Sequence, residues 1–390
     1  MRLLGTPVRL SAYPCEAITN RQFLDRPGGP RDRFYLPATL APLMDGAPIE
    51  QAEFLEDDNR GAVSPDPVAT LDGRAFYLSV KGIGSTIDPY SARPLGARYA
   101  AELTGDPRVL SRLDRTPARD SERLITGELW LRGSPYGGQG LEHATTALRV
   151  SERADLTSIE GFRIAPVLQI ALLPKALEEA LREIHWYRRY PGRFVQEVRL
   201  VPSNIRIYFH ARNTVGNDIG HVYDVFGLDE NAKALRFEVR FLRSTLAMLT
   251  LFVRTLAIDR ARGRCRGLDF EDVWLDKDAV IAPDGTVFFV DLEGIEEVTI
   301  ETEELKGKIE DQIFRSLYEL MFAYEQIEAE RSHRFGPLGT RKRHFEGILR
   351  EAVRDDPFVR LEGDGRRLEM VLRNNSQDPG ELARFPAVEW

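Results

Sequence analysis

The tightest constraint on the fold lies past the midpoint of the chain, where two short apolar runs flank a turn. Ala279-Val280-Ile281-Ala282 and Thr286-Val287-Phe288-Phe289-Val290 stand on either side of Pro283-Asp284-Gly285. β-Branched and aromatic residues suit a pleated, half-buried surface, and Pro-Asp-Gly presets a tight reversal, so the pattern reads as a β-hairpin. Its second strand ends on Asp291. Functional side chains concentrate where a loop leaves a rigid element, which makes this carboxylate a candidate.

Around the hairpin the pattern is helical. Leu235, Val239, Leu242, Leu246, Leu249, Val253 and Leu256 form one apolar stripe, predicting a single long helix from Ala232 to Arg260. Ile309 to Ala329 and Arg341 to Val353 also read as helices, and Phe358 to Leu372 as a closing hairpin around Gly363-Asp364-Gly365. Upstream, Ala75 to Val80 is a short strand-type run ending in Lys81-Gly82-Ile83-Gly84, which sets a lysine at a strand end beside a glycine loop. Leu141, Ala144, Leu148 and Ser151 recur at helical spacing after Gly137, Gly138 and Gly140. Ile164 to Leu173 follows as a buried strand. Phe194 to Phe209 holds two alternating runs, Val195-Glu197-Arg199 and Ile205-Ile207-Phe209, parted by Pro202. Residues 1 to about 68, rich in Pro, Gly and Asp, read as an irregular cover.

With 390 residues and 43% hydrophobic content, two lobes or domains are the default. The 61 acidic and 53 basic residues give a net charge of -8, so no nucleic-acid partner is expected. Cys15 and Cys265 stand alone without a CxxC pair, which disfavours a disulfide framework and a cysteine-built zinc site. The six histidines form no HExxH or HxxxH pair. Met1 to Leu10 lacks a signal-type apolar run and no 18-residue uncharged apolar stretch occurs, so a cytoplasmic protein without membrane association is expected.

ATP-dependent transfer needs a cation on the phosphates, a carboxylate to hold that side chain, and hard oxygen ligands for Mg²⁺ or Mn²⁺ on the opposite wall. Val290-Asp291-Leu292-Glu293-Gly294 occupies the place of a kinase DFG-type element, and Asp278 stands thirteen residues earlier, where kinase-like enzymes carry a second metal ligand. Asp272 falls near the slot of the catalytic-loop aspartate, one residue beyond the usual spacing. The acidic run Asp269, Glu271, Asp272, Asp276 and Asp278 reads equally well as a solvated approach to the hairpin. As partner for Lys81 the 141–151 helix offers Glu142 near its start and Glu152 near its end. Glu152 lies closer to the expected distance. The two are about 80° apart around the helix, so only one can point fully inward.

Together with the first half, these residues resemble the selenoprotein O family of protein adenylyltransferases. Asp72-Gly73-Arg74 precedes Lys81-Gly82-Ile83-Gly84-Ser85-Thr86, Pro89-Tyr90-Ser91 follows, and Gly138-Gln139-Gly140 opens the helix with Gln139 where the family has Asp. Arg199, Pro202, Ser203 and Arg206 match the family's R-x-x-P-S-x-x-R. The resemblance covers roughly residues 70 to 295. It implies an α+β, protein-kinase-like two-lobed fold in which ATP binds flipped and AMP passes to the hydroxyl of a protein substrate. The organisation expected is an irregular N-terminal extension over 1–68, an N-lobe over 69–210 with an insertion around 91–135, and a mainly helical C-lobe over 211–390 carrying the catalytic hairpin.

By the same resemblance, Gly73, Arg74, Lys81, Gln139, Gly140, Arg199, Arg206 and Asp291 contact ATP, Asp278 and Asp291 hold Mg²⁺ or Mn²⁺, and Lys81, Glu152 and Asp272 act catalytically. The family's acidic loop is only loosely echoed by Asp269-Phe270-Glu271-Asp272, an alignment that makes Asp272 the metal ligand instead of Asp278. Two other functions share the pattern, a γ-phosphoryl kinase acting on a protein or small molecule and a catalytically silent nucleotide-binding module.

Overall fold

The structure is a computed structural model. It describes residues 3, 7–23, 32–37, 44, 46–57, 61–82, 139–153, 156, 159, 161–175, 177–179, 192–206, 222–270, 278–364, 367–373 and 381–386. Asp272, the glycine loop beyond Gly82, Pro89-Tyr90-Ser91, Gly138 and the expected 91–135 insertion lie outside these residues.

Nine described strands make one antiparallel sheet: β1 (Pro7–Pro14), β2 (Ala17–Thr19), β3 (Arg33–Pro37), β4 (Glu50–Asp57), β5 (Gly61–Leu71), β6 (Arg74–Lys81), β7 (Gln139–Gly140), β8 (Val167–Leu172) and β9 (Phe194–Val201). Their order is β2-β8-β9-β6-β5-β4-β1-β3, with β7 added on β9. The stretch expected to be an irregular cover is thus largely strand. Its prolines misled because they sit where a strand needs no ladder donor. Pro7 opens β1, Pro14 closes it and Pro37 closes β3. Pro67 lies where the β5–β6 register shifts.

The Asp72-Gly73-Arg74 element is the β5–β6 turn. Asp72 and Gly73 both have positive φ, 50° and 75°, the geometry that lets a two-residue loop follow the right-handed strand twist.

The sheet closes on itself. β1 runs through Cys15 and Glu16 into β2, so one stretch of chain lies beside β3 and β4 at one end and pairs with β8 at the other. Two buried glutamines complete the closure. Gln169 donates to the Arg33 carbonyl at 3.0 Å, and Gln196 both donates to the Tyr35 carbonyl at 2.5 Å and accepts from its N–H at 2.7 Å. Inside lie Leu10, Ala12, Tyr35, Phe54, Ala62, Leu78, Val80 and Val198.

The remaining described chain holds α1 (Leu141–Ser151), α2 (Val222–Phe226), α3 (Asn231–Leu249), α4 (Leu251–Thr255), α5 (Leu305–Phe335) and α6 (Arg341–Ala352). The single helix expected from Ala232 to Arg260 breaks at Thr250 and ends at Thr255. Thr250 returns its hydroxyl to the Leu246 carbonyl, a contact that bends helices, and Thr255 accepts the Leu268 N–H at 2.7 Å, tying the helix end to a strand. That strand, β11 (Arg264–Phe270), joins β10 (Ala257–Asp259) and β14 (Ile295–Glu301), while β15 (Val359–Asp364), β16 (Arg367–Arg373) and β17 (Glu381–Pro386) form a second sheet. The C-terminal half therefore carries more strand than expected, and the architecture is α+β. No described helix is long and apolar enough to cross a membrane. Cys15 and Cys265 are both free thiols.

The predicted hairpin is present as β12 (Ala279–Ile281) and β13 (Val287–Phe289). Val280, Ala282, Phe288 and Val290 pack against Val63, Phe76, Leu200 and Val201 of the nine-stranded sheet. Backbone bonds from Ala165 to Phe289 and from Ile281 to Ile205, both 2.8 Å, clamp it between the chain entering β8 and the chain leaving β9. This docking brings the hairpin's open end to the end of β6.

Candidate active site

Antiparallel register sets Lys81 opposite Glu197 and Ser79 opposite Arg199 on β6 and β9. Since side chains alternate across a strand, all four share one face. The hairpin meets that face. Lys81 Nζ donates to Asp291 Oδ1 at 2.8 Å and to Glu293 Oε1 at 3.1 Å. Glu293 reaches back because a single 3₁₀ turn, Leu292–Gly294, follows Asp291 and packs against α1. Arg199 donates from Nη1 to the Val290 carbonyl and pairs through Nη2 with Glu197.

Gly82 shapes the rim. Its φ is +94°, and a Cβ there would stand 2.7 Å from both the Gln139 Cβ and the Val195 carbonyl, so glycine lets β7 close over the end of β6. Gln139, fully buried, reaches from β7 toward Glu197, with its Nε2 3.5 Å from Oε2.

The cluster is rich in acid. Asp291, Glu293 and Glu197 face Lys81 and Arg199, and Glu197 has no exposed surface. Burial first, then the neighbouring Asp291 charge, raise the Glu293 carboxyl to about 7, against the pull of Lys81. The Glu293 Oε2 and Gln139 Oε1 atoms are buried and accept no hydrogen bond among the described residues. Carboxylates crowded in this way are stabilised by an added cation. Among the described residues no three His, Cys, Asp or Glu side chains could enclose an ion. The donors therefore fit Mg²⁺ or Mn²⁺ held by one or two carboxylates with other oxygens from phosphate or water, and do not fit an all-protein cage.

The other expected site residues fall in three places. Asp278 lies opposite Val290, whose N–H it accepts at 2.8 Å through its carbonyl, so Asp278 and Asp291 share the open end of the hairpin. Arg206 bridges Val280 on the hairpin's outer strand and is half-buried. Gly140 is the N-cap of α1.

Glu152 is at the far end of α1, where its carboxylate accepts the Arg21 N–H at 2.8 Å, and Glu142 is exposed in the first turn. The carboxylates that meet Lys81 come instead from the segment after the hairpin. Gly73 lies in the β5–β6 turn. Arg74 begins β6, roughly 23 Å of strand from Lys81, and donates to Asp284 at 2.9 Å. Asp284 is pinned from the other side by Arg240 at 3.1 Å. Its carboxyl stays below the usual range because Arg74 and Thr286 outweigh the upward push of burial, the largest single effect.

No family model, curated protein or solved structure matches this chain. The site therefore rests on its own geometry. Glu197 and Glu293 were missed as site residues. Each carried a signal, since Glu197 alternates with Arg199 in the run 195–199 and Glu293 stands two residues after Asp291.

Proposed function

We propose that this chain is an ATP-dependent transferase with a protein-kinase-like two-lobed arrangement, and that it moves AMP from ATP to a hydroxyl of a protein. One observation carries the reading. Lys81 at a sheet-strand end beside a glycine touches Asp291 at the end of a hairpin 210 residues away, and this pairing of a cation with a carboxylate is what supports a phosphate contact for Lys81 and a metal ligand in Asp291. The order strand, helix, strand, strand through β6, α1, β8 and β9 supports the same architecture.

In this reading Lys81 leaves its carboxylates to neutralise phosphate oxygens, and Arg206 adds a guanidinium from beside the hairpin. Asp291, with Glu293 or Asp278, would hold Mg²⁺ or Mn²⁺, which supplies charge neutralisation on the polyphosphate. The acceptor oxygen forms a bond to the α-phosphorus, the bond to the bridging oxygen breaks, pyrophosphate departs, and the hydroxyl proton passes to a base or water.

A second reading, transfer of the γ-phosphoryl group, is favoured by one feature. Arg199, one of the two arginines on which the AMP reading draws, is buried and turned to Val290 and Glu197. Labelled ATP separates the two. With Mn²⁺, label from the α-phosphate should enter protein together with the mass of AMP. Label entering only from the γ-phosphate would make the chain a kinase, and tight binding without transfer from either would make it a silent nucleotide-binding module.

A further inference from the structure

We propose that Arg199 is a positioning residue that fixes the Val290–Asp291 peptide, and so sets Asp291 opposite Lys81, in place of gripping the nucleotide. The functional consequence rests on the ATP reading above. The geometry stands independently of it.

Arg199 is only 4% exposed, and Glu197, which holds its Nη2, is wholly buried. Its other terminal nitrogen, Nη1, donates to the Val290 carbonyl. A peptide unit is planar from one Cα to the next, so the atom that anchors the Val290 oxygen also anchors the Asp291 Cα. The other polar group of Val290, its N–H, is bonded to the Asp278 carbonyl at 2.8 Å. Val290 is thus held on both sides, and the chain turns away only at Asp291, with φ -99° and ψ 73°. A buried Arg–Glu pair contributes little net stability compared with apolar packing, but its fork has the shape needed to hold a carboxylate and a carbonyl at once. Lysine donates from one nitrogen only and lacks the spacing of the two-pronged fork that holds these acceptors apart.

The test uses the full chain with Arg199→Lys, and the double variant Arg199→Met with Glu197→Gln, which leaves no buried charge unpaired and supplies every measurement should the single variant not fold. Three quantities are read: amide exchange over residues 289–293, ATP affinity in EDTA, and the Mn²⁺ concentration that half-saturates the ATP complex. The expected result is exchange at least about tenfold faster, Mn²⁺ half-saturation raised about tenfold, and metal-free ATP affinity within twofold of wild type. Unchanged exchange overturns the proposal. So does a fall in metal-free ATP affinity, which makes the guanidinium a phosphate contact, and so does faster exchange with unaltered Mn²⁺ half-saturation, which leaves a purely structural strut. Wild-type protein that binds no ATP overturns the functional reading instead, and the exchange measurement then decides the position of Asp291 alone.

Discussion

In the helical part of the molecule, Glu238 on α3 gathers a buried cluster that contrasts with the one around Lys81. Its Oε1 accepts from the Tyr223 hydroxyl at 3.1 Å and meets Arg331 Nε at 3.0 Å, while Oε2 lies 2.8 Å from His344 Nε2 and takes the Tyr324 hydroxyl at 3.5 Å. Burial, then the Glu238 charge, raise both tyrosine hydroxyls, so they remain donors. Each carboxylate oxygen is engaged, and the partners come from α2, α5 and α6. At the Lys81 cluster, Glu293 Oε2 and Gln139 Oε1 accept nothing among the described residues, and Glu293 titrates near 7. Around Glu238 both carboxylate oxygens are engaged and hold helices together, although Arg331 Nε lies beside Oε1 without a directed hydrogen bond. At Lys81 the open atoms are acceptors on the carboxylate and amide that line the site, which suits a group that arrives later.

Substitutions can break this contrast. Glu238→Ala should have the largest effect, because it strips the shared acceptor from Tyr223, Tyr324 and His344 and leaves buried Arg331 with Glu328 in place of two carboxylates. A loss of about 3–5 kcal/mol is expected in denaturant unfolding, with ATP affinity of the folded fraction unchanged. A loss below about 1 kcal/mol would mean the cluster is not the structural one. Asp291→Ala should do the reverse. Transfer from ATP should fall at least about a hundredfold, while stability shifts by under about 1 kcal/mol and the circular dichroism spectrum is kept. Unfolding of this variant would erase the distinction between the clusters.

Arg206→Ala sharpens the comparison within the site. If Arg206 meets phosphate, calorimetric titration should show ATP affinity lower by roughly tenfold or more, with poor rescue by lysine, which keeps the charge but not the fork. Binding within twofold of wild type would remove Arg206 from the site. Arg74→Ala should have the smallest effect. Its pair with Asp284 is partly exposed, so about 0.5–1 kcal/mol of stability is at stake, and ATP binding should stay within twofold. A tenfold loss of affinity would show that Arg74 leaves Asp284 to meet the nucleotide.

The β12–β13 hairpin, β6 and helices α1, α5 and α6 were legible in the sequence because each is specified locally, by a turn tripeptide, a strand run ending on glycine, or a 3.6-residue apolar repeat. β1 to β4 were not. The prolines of β1 and β3 look like breakers until the partner strands show them to be strand ends, while β2 is only three residues long and β4 is mostly polar. Lys81 and Asp291 could be read because each closes an element beside a turn. Glu197 was harder to single out than Asp291, since its alternation with Arg199 shows neither that the two pair nor that Gln139, 58 residues away, reaches it. Arg199 was visible as a cation, but its target was not. Sequence spacing cannot distinguish an arginine that faces solvent from one turned to a backbone carbonyl 91 residues away.

The closure of the nine-stranded sheet bears on how the chain reaches this state. Tyr35 must wait for Gln196, 161 residues later, before its backbone is satisfied, and at about 5–20 residues per second that wait lasts roughly 8–30 s during synthesis. Through that interval β1 and β3 to β6 can pair among themselves, but β2 has its partner in β8 and the sheet cannot close. Folding should therefore be slow, with closure as its late step, as expected when contacts are far apart along the chain. The unclosed edges are where nascent chains would stick to one another, so demand for chaperone protection should end abruptly once β9 has emerged from the ribosome.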